Sequence, residues 1–205
     1  MNESPSHYAL NPSSDIVKRA SKVAKAKSAR KGEPKFHMTE DMRRLSTPWS
    51  VAQIRAEQIE AAELPAGVIL DAAAGSGVQL IAFTTRLKRP GLAIEVDPNV
   101  GLLCAANMHI SGGEEDLQRT MDRVLIGDGT DAEDAIVSYW NSLREAGTRA
   151  HPPIGMLHLD PARPKDAQRH EIDEMEPALA PLLKSWANHL ETGPRGPAIL
   201  LDLSP

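Results

Sequence analysis

Cysteine, aromatic residues and long apolar runs are all scarce in this 205-residue chain. The single cysteine, Cys104, excludes an internal disulfide framework and a cysteine-based metal cluster. Aromatic residues make up only 3% of the sequence, so a core must rely on Leu, Ile, Val and Ala. No apolar run reaches the length that spans a bilayer, and the start "MNESPSHYAL" has no charged-then-apolar signal pattern. We therefore expect a cytoplasmic protein with no membrane partner.

Recognisable metal-ligand spacing is also lacking. The seven histidines show no H-x-x-x-H or similar pattern, so the sequence predicts no metal site. His158 lies inside an apolar segment and is typical of a core histidine with satisfied hydrogen bonds. The three tryptophans are interpreted as packing residues, although Trp49 stands next to a basic region and is a candidate platform for stacking on a base.

Charge is distributed unevenly along the chain. Residues 1–47 contain ten Lys or Arg and five Asp or Glu, a net charge of +5, whereas the remainder holds 13 against 23, a net charge of −10. The segment 16–31 carries seven basic residues and no acid. Such a segment can follow the phosphates of a polyanion, or it can be a solvated, partly disordered or helical extension. We predict an N-terminal extension over residues 1–46 and a core domain over residues 47–205.

Strand-like and helix-like segments alternate five times after Gly67. Strands are predicted at 68–72, 91–96, 123–126, 154–159 and 198–203, and helices at 77–87, 98–111, 132–146 and 177–190, after an earlier helix within 47–64. Short apolar strands separated by helices are typical of a doubly wound, mostly parallel α/β sheet with helices on both faces. The chain ends directly after the fifth strand, so we expect that further strands or a second domain follow in a longer natural protein.

The stretch "DAAAGSG", residues 71–77, follows the first strand and opens a helix. A dinucleotide fingerprint needs a third glycine where this chain has Leu80, and a P-loop needs Gly-Lys-Ser or Gly-Lys-Thr, which is absent. What remains is an acid at a strand end followed by small residues that let a ligand approach the backbone. This arrangement suits a ligand with a cationic amino acid part and an adenosine part.

This stretch resembles the first motif of the Rossmann-like, S-adenosylmethionine-dependent methyltransferases, in which Ala73 stands in for the first glycine. The resemblance implies that Asp71, Gly75 and Gly77 hold the methionine part of the cofactor. It also implies that Glu95, at the end of the second strand, binds both ribose hydroxyls, since a carboxylate offers two acceptor oxygens.

The same resemblance assigns residues at the ends of the third and fourth strands. Asp128 and Gly129, in "GDGTD", would hold the adenine, and Asp97 is interpreted as a helix cap. Asp160 and Pro161, in "LDPAR", stand where methyltransferases of exocyclic base amines carry Asp/Asn-Pro-Pro-aromatic, so these two residues and Arg163 would line the target pocket. Arg163 replaces the aromatic residue. It can stack on a base, bind a phosphate or pair with a nearby acid.

Within this superfamily, the sequence is similar to a group of THUMP-domain-like methyltransferases and to the trimethylguanosine synthases. Thr47, Val51 and Ala52 match a pattern that precedes the core in that group, whereas Gln79 replaces an expected acidic residue. The resemblance implies a methyltransferase that uses S-adenosyl-L-methionine and acts on RNA, with a base amine such as guanine N2 as its target. The alternatives are a catalytically altered, RNA-binding module with the same fold and a nicotinamide-dependent oxidoreductase.

Overall fold

The computed structural model describes residues 6–27, 33–112, 117–161 and 175–202, and it is built around one six-stranded sheet. The strands are β1 (Tyr8–Leu10), β2 (Ala26–Lys27), β3 (Phe36–His37), β4 (Val68–Asp71), β5 (Gly91–Glu95), β6 (Arg123–Ile126), β7 (Ile154–Leu159), β8 (Thr192–Gly193), β9 (Gly196–Pro197) and β10 (Ile199–Leu201). The helices are α1 (Ser14–Val23), α2 (Glu40–Leu45), α3 (Trp49–Glu60), α4 (Val78–Leu87), α5 (Pro98–Ser111), α6 (Ala132–Glu145) and α7 (Leu179–Trp186).

The main sheet has the order β1-β6-β5-β4-β7-β10. All of its neighbouring strands are parallel except the edge pair, in which β1 runs antiparallel to β6. The chain moves outward from β4 through β5 to β6 and then returns to the other side of β4 to form β7. Strand order therefore reverses between β4 and β7, and in such sheets ligands bind beyond the carboxyl ends of the strands at this point.

Helices cover both faces of the sheet, as expected for parallel strands. On one face, α1, α3, α4 and α5 bury apolar residues such as Ala52 and Leu103 against β4, β5 and β6. On the other face, α6 and α7 bury Tyr139 and Trp186. The central strands are apolar and buried on both faces, and β4 and β7 have no exposed residue. The structure confirms the predicted α/β class with a mostly parallel sheet. None of the helices in the described ranges is long and apolar enough to cross a membrane.

The bounds of several predicted elements match the structure. The strands at Arg123–Ile126 and Ile154–Leu159 and the helix at Pro98–Ser111 have the predicted ends. In that helix, Asp97 Oδ1 accepts hydrogen bonds from the backbone N–H groups of Asn99 and Val100, so it caps the helix as expected.

The N-terminal residues pack on the core. Strand β1 joins the sheet edge, and α1 buries Ile16 and Ala20 on α5. Helix α1 begins at a Ser13 cap, whose hydroxyl accepts from the N–H of Ile16. The boundary predicted at residue 47 thus separates parts of the sequence that differ in charge, while the residues before it contribute a strand to the main sheet.

Candidate functional site

The carboxyl ends of β4, β5, β6 and β7 lie at one edge of the sheet. Asp71 ends β4, Glu95 ends β5, Asp128 follows β6 and Asp160 follows β7. The structure therefore brings the strand-end acids of the sequence analysis to the edge where strand order reverses. Burial differs among these acids, because Asp71 is 2% exposed whereas Asp128 and Asp160 are exposed.

The loop after β4 turns through two glycines. Gly75 and Gly77 have φ angles of +53° and +76°, in the left-handed region that glycine adopts without steric cost. A Cβ on Gly77 would meet Cys104 Sγ at 2.7 Å, whereas none of the described atoms lies within 4 Å of a Cβ built on Gly75. Within the described ranges, Lys88 is the one non-glycine residue with a positive φ angle. The φ angle of Ala73 is therefore not positive. Alanine at position 73 therefore fits the loop without backbone strain.

Side chains from outside the loop hold it in place. Asn107, fully buried on α5, donates to the carbonyl of Ser76 at 2.9 Å and also bonds both backbone groups of His37. The hydroxyl of Ser76 bonds that of Ser46 at 2.7 Å. Cys104 contacts this loop as a small buried residue, and burial raises the pKa of its thiol well above the usual value, so it is not poised as a nucleophile.

Glu95 faces the same loop from the next strand. Its Oε2 accepts from the N–H of Gly75 at 3.0 Å, and its Oε1 accepts from the N–H of Asp97 at 3.1 Å. Burial raises the pKa of this carboxyl group, although backbone donors at Asp97, Gly75 and Val96 oppose that shift. A carboxylate has about four acceptor positions, so Glu95 keeps the capacity to accept further hydrogen bonds.

Asp128 and Gly129 form the loop after β6. Asp128 Oδ1 accepts from the N–H and the hydroxyl of Thr130, both at 2.8 Å. Gly129 packs so tightly that a Cβ would lie 2.2 Å from the carbonyl oxygen of Ala72, which places the two loops in direct contact. Two distant side chains fix this loop: Trp186 donates to the carbonyl of Gly129 at 2.8 Å, and His7 Nε2 lies 2.9 Å from the carbonyl oxygen of Asp128.

A buried charged group lies where strand order reverses. His158 Nδ1 is 2.9 Å from Asp71 Oδ2, and its Nε2 is 3.2 Å from Asp202 Oδ2. The other oxygen of Asp71 accepts from the N–H of Ala73 at 3.3 Å, in the loop after β4. Burial alone would lower the pKa of His158, but the charges of Asp71 and Asp202 and their hydrogen bonds outweigh it and raise the pKa to about 9.

Helix α3 and Thr47, two residues before it, complete this group. Arg55 forms an ion pair with Asp202 at 2.8 Å and donates to Gln79 Oε1 at 3.1 Å. Gln79 Nε2 in turn donates to the carbonyl of Ala52. An acidic residue at position 79 would have no hydrogen to donate there, which explains why glutamine fits this chain. Thr47 donates to Asp160 Oδ2 at 3.4 Å.

The structure places the predicted residues as follows. Asp71, Ala73, Gly75, Gly77, Glu95, Asp128 and Gly129 lie around the two loops after β4 and β6, and Asp160 and the buried Pro161 follow β7. Arg163 lies outside the described residues. No group of three or more His, Cys, Asp or Glu side chains is arranged to hold a metal ion within the described ranges. Trp49 packs edge-to-face on Phe36, with ring centroids 5.6 Å apart, and is half-buried, so it serves as a packing residue.

Sequence reasoning missed the contributions of Arg55, Asp202 and His7. A usable signal existed for the pair of His158 and Asp71, because both lie near the ends of apolar strands. Their Cα atoms are partners in the register of β4 and β7. Finding this pair required knowing that β4 and β7 are neighbours.

Comparison with solved structures identifies the class of fold. The chain superposes on a crystal structure described as a "putative methyltransferase" from Porphyromonas gingivalis W83, with a TM-score of 0.51 and 17% sequence identity. The match covers 85% of this chain and 37% of that protein, so this chain spans well under half of its length. At this identity the likeness concerns the fold, which is that of a methyltransferase-like α/β protein.

Sequence comparisons do not narrow this class further. No family model matches the chain, and no curated protein matches it.

Proposed function

We propose that this protein is a methyltransferase that uses S-adenosyl-L-methionine. The observation that carries the proposal is the convergence of Asp71, Glu95 and Asp128 at the ends of three adjacent parallel strands, around a loop with two left-handed glycines. The likeness in fold to the Porphyromonas gingivalis protein described as a methyltransferase supports the same conclusion.

The residues at this edge fit the parts of that cofactor. Glu95 keeps acceptor capacity for two vicinal hydroxyls on a ribose. The space beside Gly75 lets a ligand approach the backbone of the loop. Asp128 Oδ1 is occupied by Thr130, whereas Oδ2 has no hydrogen-bond donor among the described residues and suits an adenine amino group.

Asp71 acts through the loop in this proposal. It is buried and bonds Ala73 and His158, so it holds the loop that receives the methionine part. When bound, S-adenosylmethionine would supply an electrophilic methyl group. Accurate placement of the acceptor atom then provides most of the rate, because proximity and orientation alone lower barriers by several kcal/mol, roughly 7–11 in the most favourable systems.

The target in this proposal is a base amine of RNA, such as guanine N2. Asp160 supports it, because this exposed carboxylate lies beside the cofactor edge and can accept a hydrogen bond from an amino group. Partial burial of the carboxyl group, followed by the charge of Asp202, raises the pKa of Asp160. Exposed cations support RNA as the polymer: Lys18, Arg19, Lys22 and Lys25 all face solvent in and just after α1.

The nicotinamide-dependent alternative is disfavoured by Leu80. This side chain is fully buried in the first turns of α4, where the dinucleotide fingerprint requires a glycine for close helix packing. An RNA-binding module without activity is the remaining alternative. Two departures from the family pattern, Ala73 and Arg163, favour this alternative, and the unstrained backbone at Ala73 removes the first of them.

Transfer of a labelled methyl group tests this proposal. The protein is incubated with tritium-labelled S-adenosylmethionine and separate RNA, DNA and protein pools, followed by nucleoside analysis. We expect label in RNA and a loss of more than about tenfold for Glu95→Gln, since a charged hydrogen-bond acceptor is removed. Glu145→Gln, an exposed change on α6, is the matched control. Cofactor binding without label in any pool would support the inactive RNA-binding module instead.

A further inference from the structure

His158 bridges two carboxylates with its two ring nitrogens. An ionised carboxylate can only accept hydrogen bonds, so both Nδ1 and Nε2 must carry a hydrogen. An imidazole with two N–H groups is a cation. The geometry therefore makes His158 an imidazolium, and the raised pKa is consistent with that state at neutral pH.

The position of this cation links two parts of the site. On one side, Asp71 connects His158 to the N–H of Ala73 in the loop after β4. On the other side, Asp202 follows β10 and connects His158 to Arg55 on α3. His158 thus lies between the loop proposed for the cofactor and the elements beside the proposed target pocket.

The charges that face His158 come from four elements. Asp71 belongs to β4, Asp202 follows β10, Asp160 follows β7 and Arg55 lies on α3; the ring of Phe83 on α4 packs edge-on at 5.3 Å and carries no charge. Among the described residues, Asp202 pairs with the two cations Arg55 and His158. Asp71 is paired with His158 alone among the described residues, and both side chains are almost completely buried. Neutralising His158 would therefore leave the carboxylate of Asp71 as an unpaired buried charge.

We propose that His158, as a buried imidazolium, is a positioning residue that holds the loop of residues 72–77 in its ligand-binding form through Asp71. The ligand in this statement rests on the proposed function. The protonation of His158 and its stabilisation of the loop are inferred from the contacts of His158 and do not depend on the proposed function. Loss of its charge leaves the buried carboxylate of Asp71 without a counter-charge and weakens the hydrogen bond from Nδ1, and this loosens the contact that fixes the N–H of Ala73.

Two substitutions separate the two contacts of the ring. The amide nitrogen of asparagine lies near the place of histidine Nδ1, so His158→Asn keeps a donor for Asp71. The amide nitrogen of glutamine lies near the place of Nε2, so His158→Gln keeps a donor for Asp202 and loses the one for Asp71. His151→Asn is the matched control, because this exposed histidine precedes β7 at the opposite edge of the sheet.

The test combines nitrogen NMR of the histidine rings, amide hydrogen exchange and calorimetry with S-adenosylhomocysteine. We expect both ring nitrogens of wild-type His158 to be protonated at pH 7. We also expect faster exchange at Ala73 and Gly75 in the glutamine variant, and an affinity at least about tenfold weaker in that variant than in the asparagine variant. Wild-type affinity should fall as pH rises through about 9, and this step should be absent in both variants.

Either of two results would overturn the proposal. The first is a ring nitrogen of His158 without a proton at pH 7, which requires no variant to fold. The second is equal loop exchange in wild type and both variants. If the wild-type protein binds no S-adenosylhomocysteine, the proposed function fails, whereas the ring protonation and the loop exchange still decide the role of His158.

Discussion

At the scale of single residues, the contact between His158 and Asp202 shifts their pKa values in opposite directions. Burial lowers the pKa of His158, but the paired Asp71 and Asp202 raise it to about 9. Partial burial raises the pKa of Asp202, but the hydrogen bond from His158 and the charge of Arg55 outweigh it, so the pKa lies below its usual value. Because these charged groups interact, their contributions to the free energy of folding are coupled.

The pH dependence of stability follows from these shifts. A histidine whose pKa is raised in the folded state stabilises the fold fully below its ordinary value of 6.5, and this contribution is lost as pH rises through about 9. The lowered pKa of Asp202 matters at acidic pH. Its contribution to the free energy of unfolding is lost only when pH falls through that lowered pKa. We therefore expect the free energy of unfolding in urea to decrease between pH 6.5 and 9.5.

His158→Asn provides the comparison for this measurement. It lacks the titrating ring, so the decrease between pH 6.5 and 9.5 should be smaller than in wild type, while His151→Asn should behave like wild type. Identical pH profiles for all three proteins would contradict the assignment of a buried cation to His158.

At the scale of secondary structure, the segment that leads into the edge strand β1 supports the site. Residues 6–7 lie just before β1, and His7 is 3% exposed. Its Nδ1 is 2.6 Å from Asp134 Oδ2, and its Nε2 lies beside the carbonyl of Asp128. The ring also fills the space above Gly127, where a Cβ would lie 2.1 Å from His7 Cδ2. The N-terminal segment therefore fixes the loop proposed to bind adenine.

Removing this ring should affect both stability and ligand binding. His7→Ala deletes a hydrogen bond to the carboxylate of Asp134 and one to the carbonyl of Asp128, so we expect a loss of about 1–3 kcal/mol in the free energy of unfolding. The affinity for S-adenosylhomocysteine should fall as well. Tyr8→Phe, at the exposed next residue, is the control and should change neither quantity. Unchanged stability and affinity in His7→Ala would show that the N-terminal segment does not support this loop.

The sequence predicted the elements that carry a continuous physical signal. The apolar runs 123–126 and 154–159 have the lengths of buried strands, and Asp97-Pro98 marks a helix start, so their bounds are confirmed. Strand β1 escaped prediction because three residues, Tyr8–Leu10, show no measurable alternation. Pairing with β6, more than 100 residues away, decides its conformation.

The residues of the site also divide into those that the sequence could predict and those that it could not. Asp71, Glu95 and Asp128 could be predicted because each ends an apolar strand, and parallel strands bring their carboxyl ends together. The contacts among Arg55, Asp202 and His158 could not, because they depend on which non-consecutive strands are neighbours and on how α3 crosses the sheet end.

At the scale of the whole molecule, the proposed cofactor site and the basic N-terminal segment belong to different parts of the fold. The sheet and the helices on both of its faces create one edge where acids and loops converge. The cations of α1 lie on a helix packed against α5, so the basic N-terminal segment is attached to the acidic core. This attachment keeps the exposed cations of α1 on the same body as the proposed cofactor edge.

The central claim is that this edge binds S-adenosylmethionine through Glu95. Calorimetric titration with S-adenosylhomocysteine, and in parallel with NAD, tests it most directly. We predict binding of S-adenosylhomocysteine to the wild-type protein, at least about tenfold weaker binding to Glu95→Gln, wild-type affinity in Glu145→Gln and no binding of NAD. Equal affinity of Glu95→Gln and wild type, or binding of NAD in preference to S-adenosylhomocysteine, would contradict the claim.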